Sequence, residues 1–290
     1  MQPVKEPISG KCFPTALAVL CCAHYAHGEL LENGGAETGT TQNWSGYVSV
    51  FPGDAATGRM SYKFDYIPNS QMRSKALMAV DRTRALRVAA SIKNIGADTI
   101  PKVFLALASF DAGQEEIRPW NVAVVPGTET TLVEACRPGD RVIKIKDGSE
   151  WQAAKNGSVA FAVDASGRLS DLPNRNTTAG SAMNVGISAV EDRGGYWEVT
   201  LEHPCGVFYP AETAVRQHTT GGSYMIAATF ENLPPGGDWQ VLEGELLPSE
   251  PVAVRGAFWP GTEYAQVLLW VQDSGVGTLL VDDVLVEEVD

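Results

Sequence analysis

The 290-residue sequence predicts an all-β protein. Three observations carry this: apolar residues fall in short alternating or continuous runs, Gly, Pro, Asn and Asp separate those runs, and almost no stretch repeats with helical period. Glycine and proline, 29 and 17 residues, supply most of the punctuation. The clearest strands are Leu86 to Ile92, Val103 to Phe110, Val142 to Ile145, Val159 to Val163, Trp197 to Leu201, Tyr224 to Phe230, Ala265 to Val271 and Thr278 to Val286. A helical turn is expected only within Gln71 to Val80.

The N-terminus reads differently. Lys5 and Lys11 precede an apolar run from Cys12 to Ala23, and Ala26-His27-Gly28 follows in the small-x-small pattern that a signal peptidase cuts. Residues 1–28 are therefore expected to be a secretory signal, the mature chain to begin near Glu29, and the protein to be extracellular or periplasmic. The run is too short to span a bilayer, which takes about 20 apolar residues. A lipoprotein signal is disfavoured because Cys21 and Cys22 follow Leu20 where a small residue is wanted. A 44% hydrophobic and 20% charged composition is that of an ordinary globular protein. The net charge of −13, spread without basic clusters, argues against a nucleic-acid partner.

The middle of the chain forms its own unit. From Thr128 to His218, short strands alternate with tight turns at Pro138-Gly139-Asp140, Asp147-Gly148, Asn156-Gly157 and Gly194-Gly195. The pattern resembles a recurrent small β-barrel, inserted at 128–218 between flanks 29–127 and 219–290 that together make one sandwich. Leu169 to Asn184 reads as an exposed polar loop, which with Arg168 and Arg175 could extend a binding surface toward acidic sugars. After signal removal only Cys136 and Cys205 remain. They sit near the two ends of the insert, where one disulfide would staple it in an oxidising compartment; two buried thiols are the alternative.

The flanks carry a resemblance. LLENGGAETGTTQNWSGY at 30–47 resembles the first strand of secreted carbohydrate-binding modules with the galactose-binding-like jelly-roll fold, and TLLVDDVLVEEV at 278–289 resembles their last. ALRVAASIKNIG, KVFLALASFDAGQEEI and GDWQVLEGEL follow in the order such modules use. The resemblance implies a jelly-roll β-sandwich that binds polysaccharide without catalysis, alone or beside a partner enzyme. It also implies a structural Ca²⁺ held by Glu37, the carbonyl region of Gly39, and Asp282 or Asp283, because calcium takes six to eight oxygens and would pin both termini together. Strand alternation puts Asp282 and Asp283 on opposite faces, which favours Asp282. Jelly rolls of this kind host several roles, so a structural or adhesive surface protein without a sugar site stays open, as does a glycan-degrading enzyme.

Sugar sites need an exposed aromatic platform with polar neighbours. Trp44 and Trp239 match positions that pack inside the family's sandwich. Trp120 after Arg118-Pro119, Trp259 before Pro260-Gly261, and Tyr264 are the expected platforms; Trp270 shares a strand with Tyr264, and Trp151 and Trp197 are read as packing within the insert. No catalytic residue is assigned. The many acids form no motif that sets a pair across a cleft. His203 and His218 have no nucleophile motif beside them, and no phosphate loop, zinc spacing or redox CxxC appears.

Overall fold

The computed structural model describes residues 30–117, 122–163, 185–219, 222–249, 256–272 and 274–289. The expected signal segment, Trp120, and the 169–184 loop with Arg168 lie outside them. The described residues form strands and no helix, so none of their helices could cross a membrane. Gln71 to Val80, where a helical turn was expected, is instead two short strands, β4 (Gln71–Ser74) and β5 (Met78–Ala79).

Two antiparallel sheets form a jelly-roll sandwich. One runs β1 (Trp44–Ser45), β4, β17 (Tyr264–Gln272), β7 (Ile100–Phe110), β15 (Met225–Leu233), with β5 beside β17. The other runs β16 (Gln240–Leu246), β6 (Ala85–Asn94), β18 (Gly277–Val289), β3 (Met60–Tyr66), β2 (Val48–Pro52). Alternation builds the core. In β17, Ala265, Val267, Leu269 and Val271 point inward, and meet Leu105, Leu107, Ile92, Tyr62 and Phe64 in one buried cluster. Each of these large side chains contributes about 1.5–3 kcal/mol by leaving water.

Strand β18 keeps its apolar face inward only by breaking register. Leu279 and Val281 are in the core, then Val284 and Val286, so the inward parity switches between them. The switch is a bulge between Asp282 and Leu285, with Asp283 in the left-handed region at φ 47°. It also aims both aspartates at the segment joining β2 to β3. Asp282 Oδ2 accepts the backbone N–H groups of Ala56 (2.9 Å) and Thr57 (3.2 Å), and Thr57 Oγ1 donates to Asp283 Oδ1 at 2.6 Å. Two residues on, Glu37 Oε1 accepts the N–H groups of Arg59 and Met60, both at 2.8 Å. Gly58 stands there at φ +69°, a left-handed backbone conformation that favours glycine, with the Glu37 carboxylate packed close against it. The same segment holds Asp54, which accepts from Lys93 Nζ (2.9 Å) and Trp239 Nε1 (3.0 Å). Trp239, expected in the core, is half-buried at this hydrogen bond; Trp44 is buried, its indole N–H donating to Asn33 O at 3.3 Å.

The third sheet runs β10 (Val142–Ile145), β13 (Trp197–Leu201), β12 (Val185–Asp192), β11 (Ala154–Phe161), β14 (Ala214–Thr219), β8 (Ala123–Val124), with β9 (Thr130–Thr131) beside β14. It curls until its edges meet: Val133 N donates to Lys144 O (2.8 Å) and Lys146 N to Thr131 O (3.0 Å). The ring encloses a separate core of Leu132, Ile145, Trp151, Val159, Phe161 and Val199. It starts at Ala123, five residues before the expected boundary, because β8 pairs with the end of β14 through His218–Val124 and Thr219–Ala123. Entry and exit strands thus lie side by side. Cys136 and Cys205 are not disulfide-bonded; they are buried free thiols. Their mutual influence, ahead of burial, pushes the Cys136 thiol up and lowers Cys205 to about 7. Cys205 Sγ also donates to Val207 O at 3.4 Å.

The two acids of the termini have opposite pH signatures. Two backbone N–H donors hold Glu37 below its ordinary value of 4.5, so its contribution is present at neutral pH and is lost as the pH falls through its lowered native pKa. Burial raises Asp282; the native state binds that proton more tightly, so its ionisation removes stability as the pH rises from the unfolded to the native pKa. Glu37→Gln is expected to lower the melting temperature at pH 7 and, measured by calorimetry from pH 7 to 3, to narrow its gap to the parent chain at acid pH.

Candidate functional site

The outward residues of the six-stranded sheet form the most developed surface of the sandwich. In β17, alternation presents Tyr264, Gln266, Leu268 and Trp270 on this side. Register then fixes their neighbours. Trp270 lies between Gln71 and Phe104, Leu268 between Arg73 and Ala106, and Tyr264 beside Phe110. Trp270 stacks on Phe104 (centroids 5.1 Å, 30°) and meets Tyr224 edge-on at 6.0 Å. Leu268, Ala106 and Ala108 are the buried floor beneath these rings.

Polar side chains tie the rings together. Gln71 Nε2 donates to Tyr224 Oη at 2.8 Å. Arg73 Nε donates to Gln266 Oε1 at 2.6 Å, its Nη2 lies 3.3 Å from Glu116 Oε1, and its guanidinium sits 5.5 Å from the Phe110 centroid. Around Arg73, residues Ser45, Lys75, Phe110, Glu116 and Gln266 line a groove of about 520 Å³. Trp270 Nε1 is buried and finds no acceptor among the described residues. A buried N–H without a partner costs about 1–3 kcal/mol.

Of the expected platforms, Tyr264 stands on this face, half-buried. Trp120 lies outside the described residues. Trp259 is not a platform: it is 3% exposed in the sandwich core, its N–H donating to Met225 Sδ at 3.2 Å. The Pro260-Gly261 turn exists, closed by Thr262 N to Trp259 O at 3.2 Å, but it continues the buried run Ala257-Phe258 and turns the indole inward. Sequence reasoning missed Arg73, Phe104 and Gln266, which come from three strands, and Tyr224, in the bend just before β15; a period-two outward row of Tyr, Gln and Trp in β17 was the available signal.

The carboxylates expected to hold calcium are each anchored by backbone N–H groups. Glu37 is anchored at Arg59 and Met60, whereas Asp282 is anchored at Ala56 and Thr57, and Asp282 Oδ1 also accepts Asp283 N at 3.0 Å. N–H donors thus take some of the acceptor positions of each carboxylate. Gly39 is exposed on its own turn. Among the described residues no three His, Cys, Asp or Glu residues stand together as a metal-holding group. The bulge, by turning both Asp282 and Asp283 to one segment, also removes the expected choice between them.

No protein-family model matches the chain, and no curated protein matches it. Among solved structures, it is similar to the CBM22-1 xylan-binding domain from Paenibacillus barcinonensis Xyn10C, at 10% identity and a TM-score of 0.39, over 91% of this chain and 96% of that one. It is similar to a family 16 carbohydrate-binding module at 11% identity and a TM-score of 0.34, over 89% and 98% of the two chains. A third similar structure is the CBM22-1-GH10 part of Clostridium thermocellum xylanase 10B complexed with xylohexaose (9% identity, TM-score 0.35), over 86% of this chain and 26% of that one.

Two outcomes follow. Because the terminal carboxylates are satisfied by backbone N–H groups, EDTA and added CaCl₂ are both expected to leave the melting temperature unchanged; a calcium-dependent rise would show that a cation organises them. Arg73→Ala is expected to cost no more than about 1 kcal/mol in urea unfolding, because its ion pair with Glu116 is partly solvated.

Proposed function

We propose that this protein is a secreted, non-catalytic polysaccharide-binding module that takes its ligand on the outer face of the six-stranded sheet, around Trp270, Tyr224, Tyr264 and the Arg73 groove. The observation that carries the reading is the cluster of Trp270, Phe104 and Tyr224 rings on one sheet face, tied by Gln71 to Tyr224 and flanked by the Arg73–Gln266 pair. A pyranose offers an apolar C–H face and a ring of hydroxyls. Rings match the first by dispersion and burial; Gln71, Arg73, Gln266 and Glu116, each both held and holding, match the second. With a binding face on the six-stranded sheet, the chain can serve as a targeting module for a partner enzyme or a cell surface.

The test is a glycan array of the chain from Glu29, run with calcium and with chelator, followed by titration of Trp270→Ala and Tyr224→Ala against the best ligand. Binding is expected in both buffers, with at least a tenfold loss in each variant, equivalent to about 1.4 kcal/mol. Unchanged affinity in both variants, with native circular dichroism, would move the site elsewhere. A blank array would favour an adhesive or structural protein.

A further inference from the structure

A second surface lies at the opposite sheet's edge, where the start of β2, the end of β3 and the start of β18 enclose a groove of about 720 Å³. Tyr47, Ile67 and Val276 line it while 64%, 44% and 76% exposed. Large apolar side chains left this open are uncommon among the described residues, and three converging on one groove is the pattern of a binding surface. Tyr47 is displayed on fixed backbone. The preceding Gly46 stands at φ +104° against the Gln71 carbonyl, where any Cβ would collide, and Tyr47 O accepts Asp65 N at 2.9 Å. The platform is thus preorganised at little ordering cost on binding.

The groove is also polar in a particular way. Asp65 Oδ1 accepts Thr278 Oγ1 at 2.7 Å and its Oδ2 accepts Lys63 Nζ at 3.0 Å, so the carboxylate is positioned, its charge is balanced, and each oxygen retains a free lone pair. Lys63 keeps further N–H donors. Donors and acceptors without net charge suit a neutral, hydroxyl-rich ligand better than an ion, and a flat ring beside them suits a pyranose better than an extended peptide.

We infer that this groove is a second carbohydrate site, taking a neutral pyranose stacked on Tyr47 with its hydroxyls bonded to Asp65 and the Lys63 ammonium. It rests on the polysaccharide-binding reading but on different residues, in a different sheet. Ser45 lines the Arg73 groove and Gly46 and Tyr47 line this one, so the two sites meet at a single turn.

The experiment is an amide ¹H–¹⁵N NMR titration of the chain from Glu29 with glucose, galactose, mannose, xylose, cellobiose and xylobiose, repeated on Tyr47→Ala and Trp270→Ala. The expected result is saturable shifts at Tyr47, Ile67, Asp65 and Thr278 that persist in Trp270→Ala and weaken at least tenfold in affinity in Tyr47→Ala. No shift at these residues with any of the six sugars overturns the inference, even if Trp270 and Gln266 respond. Shifts confined to the groove would support it while overturning the site on the six-stranded sheet. Shifts there that grow with protein concentration and ignore sugar would assign the groove to a second copy of the chain and overturn the sugar reading.

Discussion

A buried aspartate at a strand bulge governs this sandwich. Asp282 is held in the interior by three backbone N–H groups, two of them from the segment between β2 and β3, and the chain must leave regular register to put it there. Regular alternation would turn Val284 and Val286 away from the core. The bulge therefore satisfies a carboxylate and restores the apolar face of the longest strand in one step. Because the same segment binds Glu37 near the start of the described chain and Asp283 near its end, it joins residues separated by most of the sequence.

That arrangement ties the β2–β3 segment to residues near both ends of the described chain, while the outward face of the other sheet gathers the larger set of rings. Strands β4, β7, β15 and β17 bring together rings and polar side chains from four distant parts of the sequence, and β17, paired on both sides, sets their spacing. The intervening β-barrel can be accommodated because its entry and exit strands hydrogen-bond to each other. Its own core then needs nothing from the sandwich.

Much of the strand pattern was legible. Val142–Ile145 and Trp197–Leu201 begin and end where their apolar alternation begins and ends, and β17 and β18 extend only slightly beyond the expected spans. Short strands such as β1, β4, β5, β8 and β9 were not, since two to four residues carry too little periodicity to stand out. The site was half legible. Tyr264 lies on the proposed surface, but Trp259 does not, because a turn signal reports where the backbone bends and not which way its side chain goes. Tyr47 carried no signal at all: a tyrosine after Ser-Gly looks ordinary until Ile67 and Val276 are brought beside it.

The amino-acid sequence by itself determined the all-β class and the balance of charge, because turn chemistry and period-two alternation act between near neighbours in the chain. Tertiary structure alone decided what the polar groups do. Which amides Asp282 and Glu37 bind, whether Cys136 and Cys205 bond or only touch, and which rings share a face all depend on ångström-scale placement of residues far apart in sequence, and such placement is set by register, by bulges and by the packing of one sheet on another.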